Sequence, residues 1–360
     1  MKLNIKPFGD NGASLYTFSN KNGVELSVTE IGASIISIVL PDRDGRMTDI
    51  LLGYDSSEGY ERNSSFYGAT VGRCANRIGG ASFIIDGAVY CLDKNEGDNV
   101  LHGGNDPYSR RMWVAEVFPS PCSPSPGDAQ SVIFRLESLD GDQGMPGNAK
   151  ISVTYSLSED NKVVIHYHAV ADKKTVFNLT NHSYFNLGGH DSGPIAEQFL
   201  ILACAQFTAI DAEFIPTGEI MPVTGTPFDF TQAKRIGRDA DSEHEQIRLG
   251  NGYDHNFVIE NPSLEVPFAH AWSEATRIEM KVYTDLPGVQ FYGGNNMGGD
   301  FGEKGGAKYL KRGGFCLETQ YFPDSPNKPA FPSAAFDAGK AFDSTSIYEF
   351  FPGKRGASIR

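Results

Sequence analysis

Short segments in which apolar and polar residues alternate recur along the chain, and they constrain its fold more than any other feature. Alternation with a period of two is typical of a β-strand with one buried face, and Lys162–Ala171 is one candidate segment. No segment keeps a 3.6-residue period over a dozen positions, so helices are expected to be few and short. The 40 glycines and 20 prolines supply turn residues between the segments. The sequence therefore predicts an all-β protein.

Candidate strands of this kind are spread over most of the chain. They cover residues 26–40, 49–54, 131–138, 149–158, 162–171, 199–210, 256–260, 277–285, 289–292, 315–322 and 346–350, with a hairpin predicted over 81–93 around Asp86-Gly87. Sheet edges must be paired or covered, and packed sheets meet this need more readily than a small barrel. We therefore expect one domain over residues 1–360, folded as a large β-sandwich, or supersandwich, with a concave sheet face.

The net charge and the cysteine content of the chain indicate which partners and which cellular compartment to expect. A net charge of -14 argues against nucleic acid and anionic membranes as partners, because both require a basic patch. The N-terminus lacks the apolar core of a signal peptide, and no window approaches the roughly 18 apolar residues of a membrane span. The five cysteines form no CxxC pair, which disfavours a disulfide framework. We predict a cytoplasmic monomer or weak homodimer whose partner is a small molecule.

Residues 174–189 (KTVFNLTNHSYFNLGG) divide by alternation into an apolar face and a polar face. The polar face holds Asn178, Thr180, His182, Tyr184 and Asn186. Its amides, hydroxyls and single imidazole are short hydrogen-bonding groups, which suit recognition of a polyhydroxylated ligand. The alternative is a solvated sheet face with a satisfied histidine.

A second candidate group lies in the segment 313–332. Alternation places Glu318 on one face with Cys316 and Gln320, so a carboxylate lies in the middle of a mostly uncharged strand. Buried without a partner it would be costly, and an ion pair with an arginine is one explanation. Glu318 and His182 together offer a base and an acid that could move protons at both ends of a small molecule near neutral pH.

Other chemistries are less well supported. His166 and His168 form an HxH pair on one strand face, but no acidic residue follows at a short spacing to complete a metal site. The glycine-rich segment 293–306 fails as a phosphate loop because Gly305 follows Lys304 where Ser or Thr is required, and it is interpreted as a flexible loop. No GxSxG nucleophile elbow is present. The Pro- and Ser-rich stretch 119–126 is interpreted as a surface excursion between strands.

The chain resembles the aldose 1-epimerase, or galactose mutarotase, family through seven motifs in family order. They are GRCANRI (72–78), NVLHGG (99–104), DGDQGMPGNAKISVTYSL (140–157), NLTNHSYFNLGG (178–189), GYDHNF (252–257), LPGVQFYGGN (286–295) and FCLETQYFPDSPNKPAFP (315–332). The resemblance implies a large β-sandwich that interconverts the α and β anomers of free hexoses, usually galactose and glucose. It also implies that no metal or organic cofactor takes part.

Site roles follow from the same resemblance, position by position. It implies that His182 is the general acid and Glu318 the general base. It further implies a set of residues that hold the sugar hydroxyls and the ring oxygen, namely Asn76, Arg77, His102, Tyr184, Asp254 and Gln290. The chemistry requires His182 to begin protonated and Glu318 ionised. Met145 departs from the family, which often has an aromatic residue there, and this puts a wall contact and the substrate preference in question.

Two rival functions remain open from the sequence. A non-catalytic sugar-binding β-sandwich would keep Asn76, Arg77 and Asp254 but would not need both His182 and Glu318. A hexose-6-phosphate 1-epimerase would need an additional basic cluster at the pocket rim. That cluster could come from Arg73, Arg110 and Arg111.

Overall fold

The computed structural model describes residues 2–119, 130–300 and 302–353. Most of the predicted excursion over 119–126 lies outside the described residues. In the described ranges the α-helices are α1 (Ser57–Arg62) and α2 (Glu245–Leu249), which agrees with the prediction of few, short helices. Within the same ranges, no helix has the length and apolar character needed to cross a membrane.

The first sheet has five antiparallel strands in sequential order. They are β1 (Lys2–Pro7), β2 (Ser14–Ser19), β3 (Glu25–Thr29), β4 (Ser34–Pro41) and β5 (Met47–Asp49). The run predicted as one strand over 26–40 is two strands. The chain reverses between them, where Gly32 and Ala33 both have positive φ.

Five short strands follow in the chain. They are β6 (Thr70–Val71), β7 (Arg77–Ile78), β8 (Ser82–Ile85), β9 (Ala88–Cys91) and β10 (Val100–Leu101). β8 and β9 form the predicted hairpin. Its turn residues Asp86 and Gly87 have φ of 51° and 81°, as a two-residue turn of this kind requires.

The remaining strands build two larger sheets and complete two small ones. In chain order they are β11 (Val114–Pro119), β12 (Gln130–Ser138), β13 (Ala149–Leu157), β14 (Lys162–Ala171), β15 (Thr175–Val176), β16 (Thr180–Asn181), β17 (Phe199–Leu202), β18 (Gln206–Ile210), β19 (Pro216–Pro222), β20 (Lys234–Arg235), β21 (Asp254–Val258), β22 (Ala269–Trp272), β23 (Glu279–Thr284), β24 (Gly288–Tyr292), β25 (Cys316–Gln320), β26 (Ala335–Phe336) and β27 (Phe342–Phe351). One sheet has nine strands in the order β11-β12-β13-β14-β27-β23-β22-β17-β20, and another has five in the order β19-β18-β21-β24-β25.

The nine-stranded sheet packs its inner face against both five-stranded sheets. From β13, the Tyr155 hydroxyl donates a hydrogen bond to the Ala33 carbonyl beside β4, at 2.6 Å. From β27, the Tyr348 hydroxyl donates to the Leu317 carbonyl in β25, at 3.1 Å. One cluster of buried apolar side chains runs between the layers. This confirms the predicted all-β sandwich.

Candidate active site

A cavity of about 230 Å³ opens beside β21, β24 and β25. Its walls come from segments that are far apart in the sequence, and most of the lining side chains are polar. The lining residues are Ser64, Ser65, Phe66, Asn76, Arg77, Glu96, Leu101, His102, His182, Tyr184, Asp254, Tyr292, Asn296, Met297 and Glu318.

Three neighbouring strands present one face to this cavity and the other to the core. Gln290 in β24 pairs directly with Glu318 in β25, and Asp254 of β21 pairs with Tyr292 of β24. Alternate residues such as Phe291 and Leu317 point into the core between the sheets. The predicted alternation around Glu318 is therefore confirmed, and the carboxylate faces the cavity.

The segment 174–189 differs from a half-buried strand, because residues 175–187 are buried on both faces. Two residues of its predicted polar face, Asn178 and Asn186, bind backbone. The Asn178 amide exchanges two hydrogen bonds with the Tyr321 backbone, and Asn186 donates to the carbonyls of Gly193 and Gly313. Of the five polar residues named from the pattern, His182 and Tyr184 line the cavity.

His182 and Glu318 face each other across the cavity floor. The Nε2 atom of His182 lies 3.6 Å from Oε1 of Glu318, and both side chains are buried. The other carboxylate oxygen, Oε2, is buried without a hydrogen-bond partner in the described part of the chain, so a ligand hydroxyl could donate to it. The imidazole is held between aromatic rings, with the Tyr184 ring stacked at 4.9 Å and the Phe66 ring at 5.8 Å.

Burial shifts the pKa values of this pair in opposite directions. It lowers the pKa of His182 to about 4. It raises the pKa of Glu318 well above its usual value, and the charge of Asp254 raises it further while Arg77 opposes the shift. In both cases the low-dielectric surroundings disfavour the charged form.

Each of the two imidazoles of the site has a hydrogen-bonding contact on its Nδ1 side. The backbone N–H of Asn76 donates to Nδ1 of His102 at 3.2 Å, so the neutral His102 ring carries its proton on Nε2. The Sγ atom of Cys316 lies 3.5 Å from Nδ1 of His182. Burial lowers the pKa of His102 well below its usual value, and the nearby His182 and Arg77 add to the effect. His102 therefore acts as a neutral hydrogen-bond donor.

Two groups of histidines and carboxylates bring possible metal ligands together. His102, His182 and Glu318 bring ligand atoms within 4.8 Å of one another. A metal on Nε2 of His102 would, however, displace the proton that the Asn76 contact places there. That donor set therefore fits sugar oxygens better than a metal.

The second group lies on the outer face of the nine-stranded sheet. His166 and His168 in β14 each contact one oxygen of Asp343 in β27, at 2.9 Å. No acidic residue follows the two histidines at a short spacing in the sequence, but Asp343 on the neighbouring strand supplies a carboxylate. All three side chains are well exposed, and the group lies on a different sheet from the cavity.

Arg77 is the cation of the cavity, and carboxylates surround it. Its guanidinium donates two hydrogen bonds to Glu96, at 2.6 and 2.9 Å, and lies 4.7 Å from the centre of the Phe214 ring. Burial raises the pKa of Asp254, although the Arg77 charge opposes this shift. The Gln290 amide donates to Asp254 at 2.7 Å.

The structure brings most of the predicted site residues together. Those that line the cavity with the predicted acid and base are Asn76, Arg77, His102, Tyr184 and Asp254. Gln290 does not line the cavity: it is buried, its amide donates to Asp254, and its Oε1 has no partner among the described residues, so its predicted contact with the sugar stays a prediction.

Several lining residues were missed from the sequence. Phe66 forms a wall over both histidines, with its ring 4.8 Å from that of His102, and its φ of 60° is unusual for a bulky residue. Glu96 lies only six residues before His102, so proximity to the NVLHGG motif was an available signal. Tyr292 follows the predicted strand pattern and shares the cavity face with Gln290.

Met145 and three arginines were named from the sequence as residues that could affect substrate preference. None of them lines the cavity. Met145 is buried in an apolar cluster with Ile78 and Phe83 and makes no part of the wall. Arg73 is fully buried and donates to backbone carbonyls such as that of Pro146. Arg111 is paired with Asp106 and Asp142. Arg110 binds the Asn105 carbonyl, so none of the three arginines forms a phosphate-binding rim.

Comparisons with known proteins agree with this geometry. The family model of aldose 1-epimerase matches residues 14–349. The galactose mutarotase of Bos taurus is 37% identical over 327 residues, 91% of each chain. The aldose 1-epimerase of Escherichia coli strain K12 is 36% identical over 339 residues, 93% of this chain and 94% of its own.

Solved structures give the same result. The galactose 1-epimerase of Lactobacillus acidophilus matches with a TM-score of 0.85 at 27% identity, over 98% of this chain and 99% of its own. An aldose epimerase homologue from C. elegans matches with a TM-score of 0.84 at 30% identity, over 95% of this chain and 99% of its own. Since the family model covers nearly the whole chain and relatives above 30% identity extend over nine-tenths of it, the chain belongs to the aldose 1-epimerase family.

Proposed function

We propose that this cavity carries out the reaction of the family on free aldohexoses, galactose and glucose among them, with Glu318 as general base and His182 as general acid. The observation that carries the assignment of roles is the pairing of the two side chains, with Nε2 of His182 3.6 Å from Oε1 of Glu318 inside a polar cavity. The reaction is an isomerisation at one carbon, which needs one proton removed and one supplied.

The ring opens by two proton transfers. Glu318 takes the proton of the C1 hydroxyl, whose electron pair forms the carbonyl as the bond from C1 to the ring oxygen breaks. The ring oxygen takes a proton from Nε2 of His182. Rotation about the C1–C2 bond then presents the other carbonyl face. Closure reverses both transfers, so the two side chains end in their starting protonation states.

The free enzyme and the sugar complex differ in where the shared proton lies. Burial favours neutral His182 with protonated Glu318 in the free enzyme, which differs from the starting state expected from the sequence. The ion pair of imidazolium and carboxylate has the same number of protons, so a shift between the two side chains produces it. A bound sugar favours the ion pair, because its C1 hydroxyl donates to the carboxylate and its ring oxygen accepts from the imidazolium.

The pH dependence follows from these shifts. Activity is lost in acid when a second proton binds the pair, and burial lowers the pKa of His182 to about 4 for that step. It is lost in base when the single proton leaves, and the raised pKa of Glu318 moves that step upward. We expect kcat/KM for galactose to stay level as the pH falls from neutrality to about 5, measured by polarimetry with the spontaneous rate subtracted. An acid limb centred near 6.5, the usual histidine value, would contradict this.

Polarimetry on freshly dissolved α-D-galactose and α-D-glucose tests the function itself. Faster relaxation to anomeric equilibrium in the presence of the protein supports the proposal, and the ratio of the two rates measures preference. Relaxation at the spontaneous rate for both sugars, together with sugar binding in calorimetry, would favour the non-catalytic module instead.

The proposal also includes a cellular setting. We infer a cytoplasmic enzyme of hexose metabolism that acts as a monomer or weak homodimer. The free thiols of Cys74, Cys91, Cys204 and Cys316 are compatible with a reducing compartment. Light scattering of the purified protein tests the oligomeric state, and fractionation of the source cells tests the compartment.

A further inference from the structure

The charged side chains at the cavity are strongly unbalanced. Among the described residues that line it, Arg77 is the single lysine or arginine, whereas Glu96, Asp254 and Glu318 are all carboxylic acids. The two histidines there, His102 and His182, have pKa values lowered by burial and are neutral at pH 7. With Glu96 and Asp254 ionised, these side chains carry an excess of negative charge whether Glu318 is ionised or protonated.

Glu96 contributes to this excess in two ways. Its carboxylate binds both Nε and Nη2 of Arg77, which is the strongest geometry for a carboxylate on a guanidinium. It thereby occupies donors that Arg77 would otherwise offer to an anionic ligand. Its side chain is also about one-third exposed at the cavity, so its charge acts directly on anything that binds.

We propose that Glu96 restricts the enzyme to sugars without a negative charge and so excludes uronic acids and sugar phosphates. This inference rests on the proposed function, because it describes which aldoses reach the same acid and base. A carboxylate or phosphate on a hexose in a cavity of about 230 Å³ cannot lie far from these acidic groups. Like charges placed that close in a poorly screened site oppose binding.

Arg77 is held by a second contact besides Glu96, so the effect of the Glu96 charge can be tested without releasing the guanidinium. Phe214 holds the guanidinium from another side, at 4.7 Å. Replacement of Glu96 by Gln removes the charge and keeps one acceptor oxygen for Arg77, while the second of the two hydrogen bonds is lost. Glu96→Gln therefore leaves a cation in the cavity whose charge is no longer neutralised.

The experiment compares four sugars of one stereochemical series as ligands of the wild-type protein and of Glu96→Gln. D-Fucose is neutral, D-galacturonate and D-galactose 6-phosphate are anionic, and D-galactosamine is cationic. Dissociation constants are measured by calorimetry, and inhibition constants by competition with α-D-galactose in polarimetry. Calorimetry gives the selectivity even if galactose turnover is absent, so a failure of the proposed function is recognised separately.

We expect Glu96→Gln to strengthen binding of both anions relative to D-fucose by about tenfold and to weaken D-galactosamine relative to D-fucose. High salt should reduce the wild-type discrimination. The matched control is Glu116→Gln, which removes the same charge from a pair with Arg135 on the outer sheet face and should leave every ratio and the turnover unchanged. Equal changes for all four sugars, or no change, would overturn the assignment to Glu96.

Discussion

Glu318→Gln is expected to lower the turnover of α-D-galactose by at least about a hundredfold while the protein stays folded. Glutamine fills nearly the same volume, but its amide cannot take the proton of the C1 hydroxyl. The alignment of Gln290 with Glu318 across β24 and β25 is a backbone pairing and does not depend on the carboxylate. Polarimetry at saturating galactose measures the loss as a change in kcat.

Stability separates a catalytic loss from misfolding in this variant. Because burial raises the pKa of Glu318, the folded wild type binds more protons than the unfolded chain once the pH exceeds the usual glutamate value of 4.5. Wild-type stability therefore falls as the pH rises from 4.5 toward the raised pKa, and Glu318→Gln lacks this contribution. Urea unfolding should show that the free energy of unfolding of the variant increases relative to that of the wild type between pH 4.5 and pH 7.

The control for this pair of measurements is again the exposed Glu116→Gln, which should match the wild type in turnover. Near-wild-type turnover in Glu318→Gln would remove Glu318 from the role of base. Loss of turnover together with a large loss of stability would instead indicate a structural role for the carboxylate.

His182→Asn is expected to reduce turnover by a similar factor, at least about a hundredfold. Asparagine can still donate a hydrogen bond toward a ring oxygen, but it cannot transfer a proton to it. The loss should therefore appear mainly in kcat, with a smaller change in the dissociation constant of galactose. The backbone at this position is held independently, since the His182 N–H donates to the Ala69 carbonyl.

A matched histidine variant and a double variant sharpen the test of His182. His166→Asn changes an exposed histidine on the outer sheet face and should leave turnover unchanged. If Glu318 and His182 act as one unit, the double variant should be little slower than either single variant. Additive losses, or His182→Asn with normal kcat, would contradict the proposed acid.

The strands that were best predicted have one face in contact with solvent. β14 coincides with its predicted range residue for residue, because its buried positions alternate with partly exposed ones along the whole strand. The run 199–210 was predicted as one strand, but it forms two, β17 and β18. The chain leaves the nine-stranded sheet after Leu202 and enters another sheet at Gln206. Apolar residues continue from Leu202 through Ala203 and Cys204, so the sequence pattern does not mark the boundary.

In the site, too, the alternating pattern predicts less than the structure shows, here about the contacts of side chains. Alternation grouped His182 and Tyr184 with Asn178 and Asn186, but it does not say whether a polar side chain meets a ligand or a backbone, and His182 and Tyr184 are the two that line the cavity. The asparagines bind backbone. Phe66 was missed because it lies in a loop, where side-chain direction follows from a positive φ and has no period.

One face of β21, β24 and β25 borders the cavity and the other packs in the core, and this arrangement bears on how such an enzyme can be redesigned. Cavity residues and core residues alternate along these strands, so a combinatorial library confined to the cavity face leaves the packing between the sheets untouched. Gln290 lies between Asn256 and Glu318 in the pairing register, and a change at one of these neighbours will alter the room available to the next. Positions along this row should therefore be randomised jointly, and new sugar preferences selected from paired substitutions.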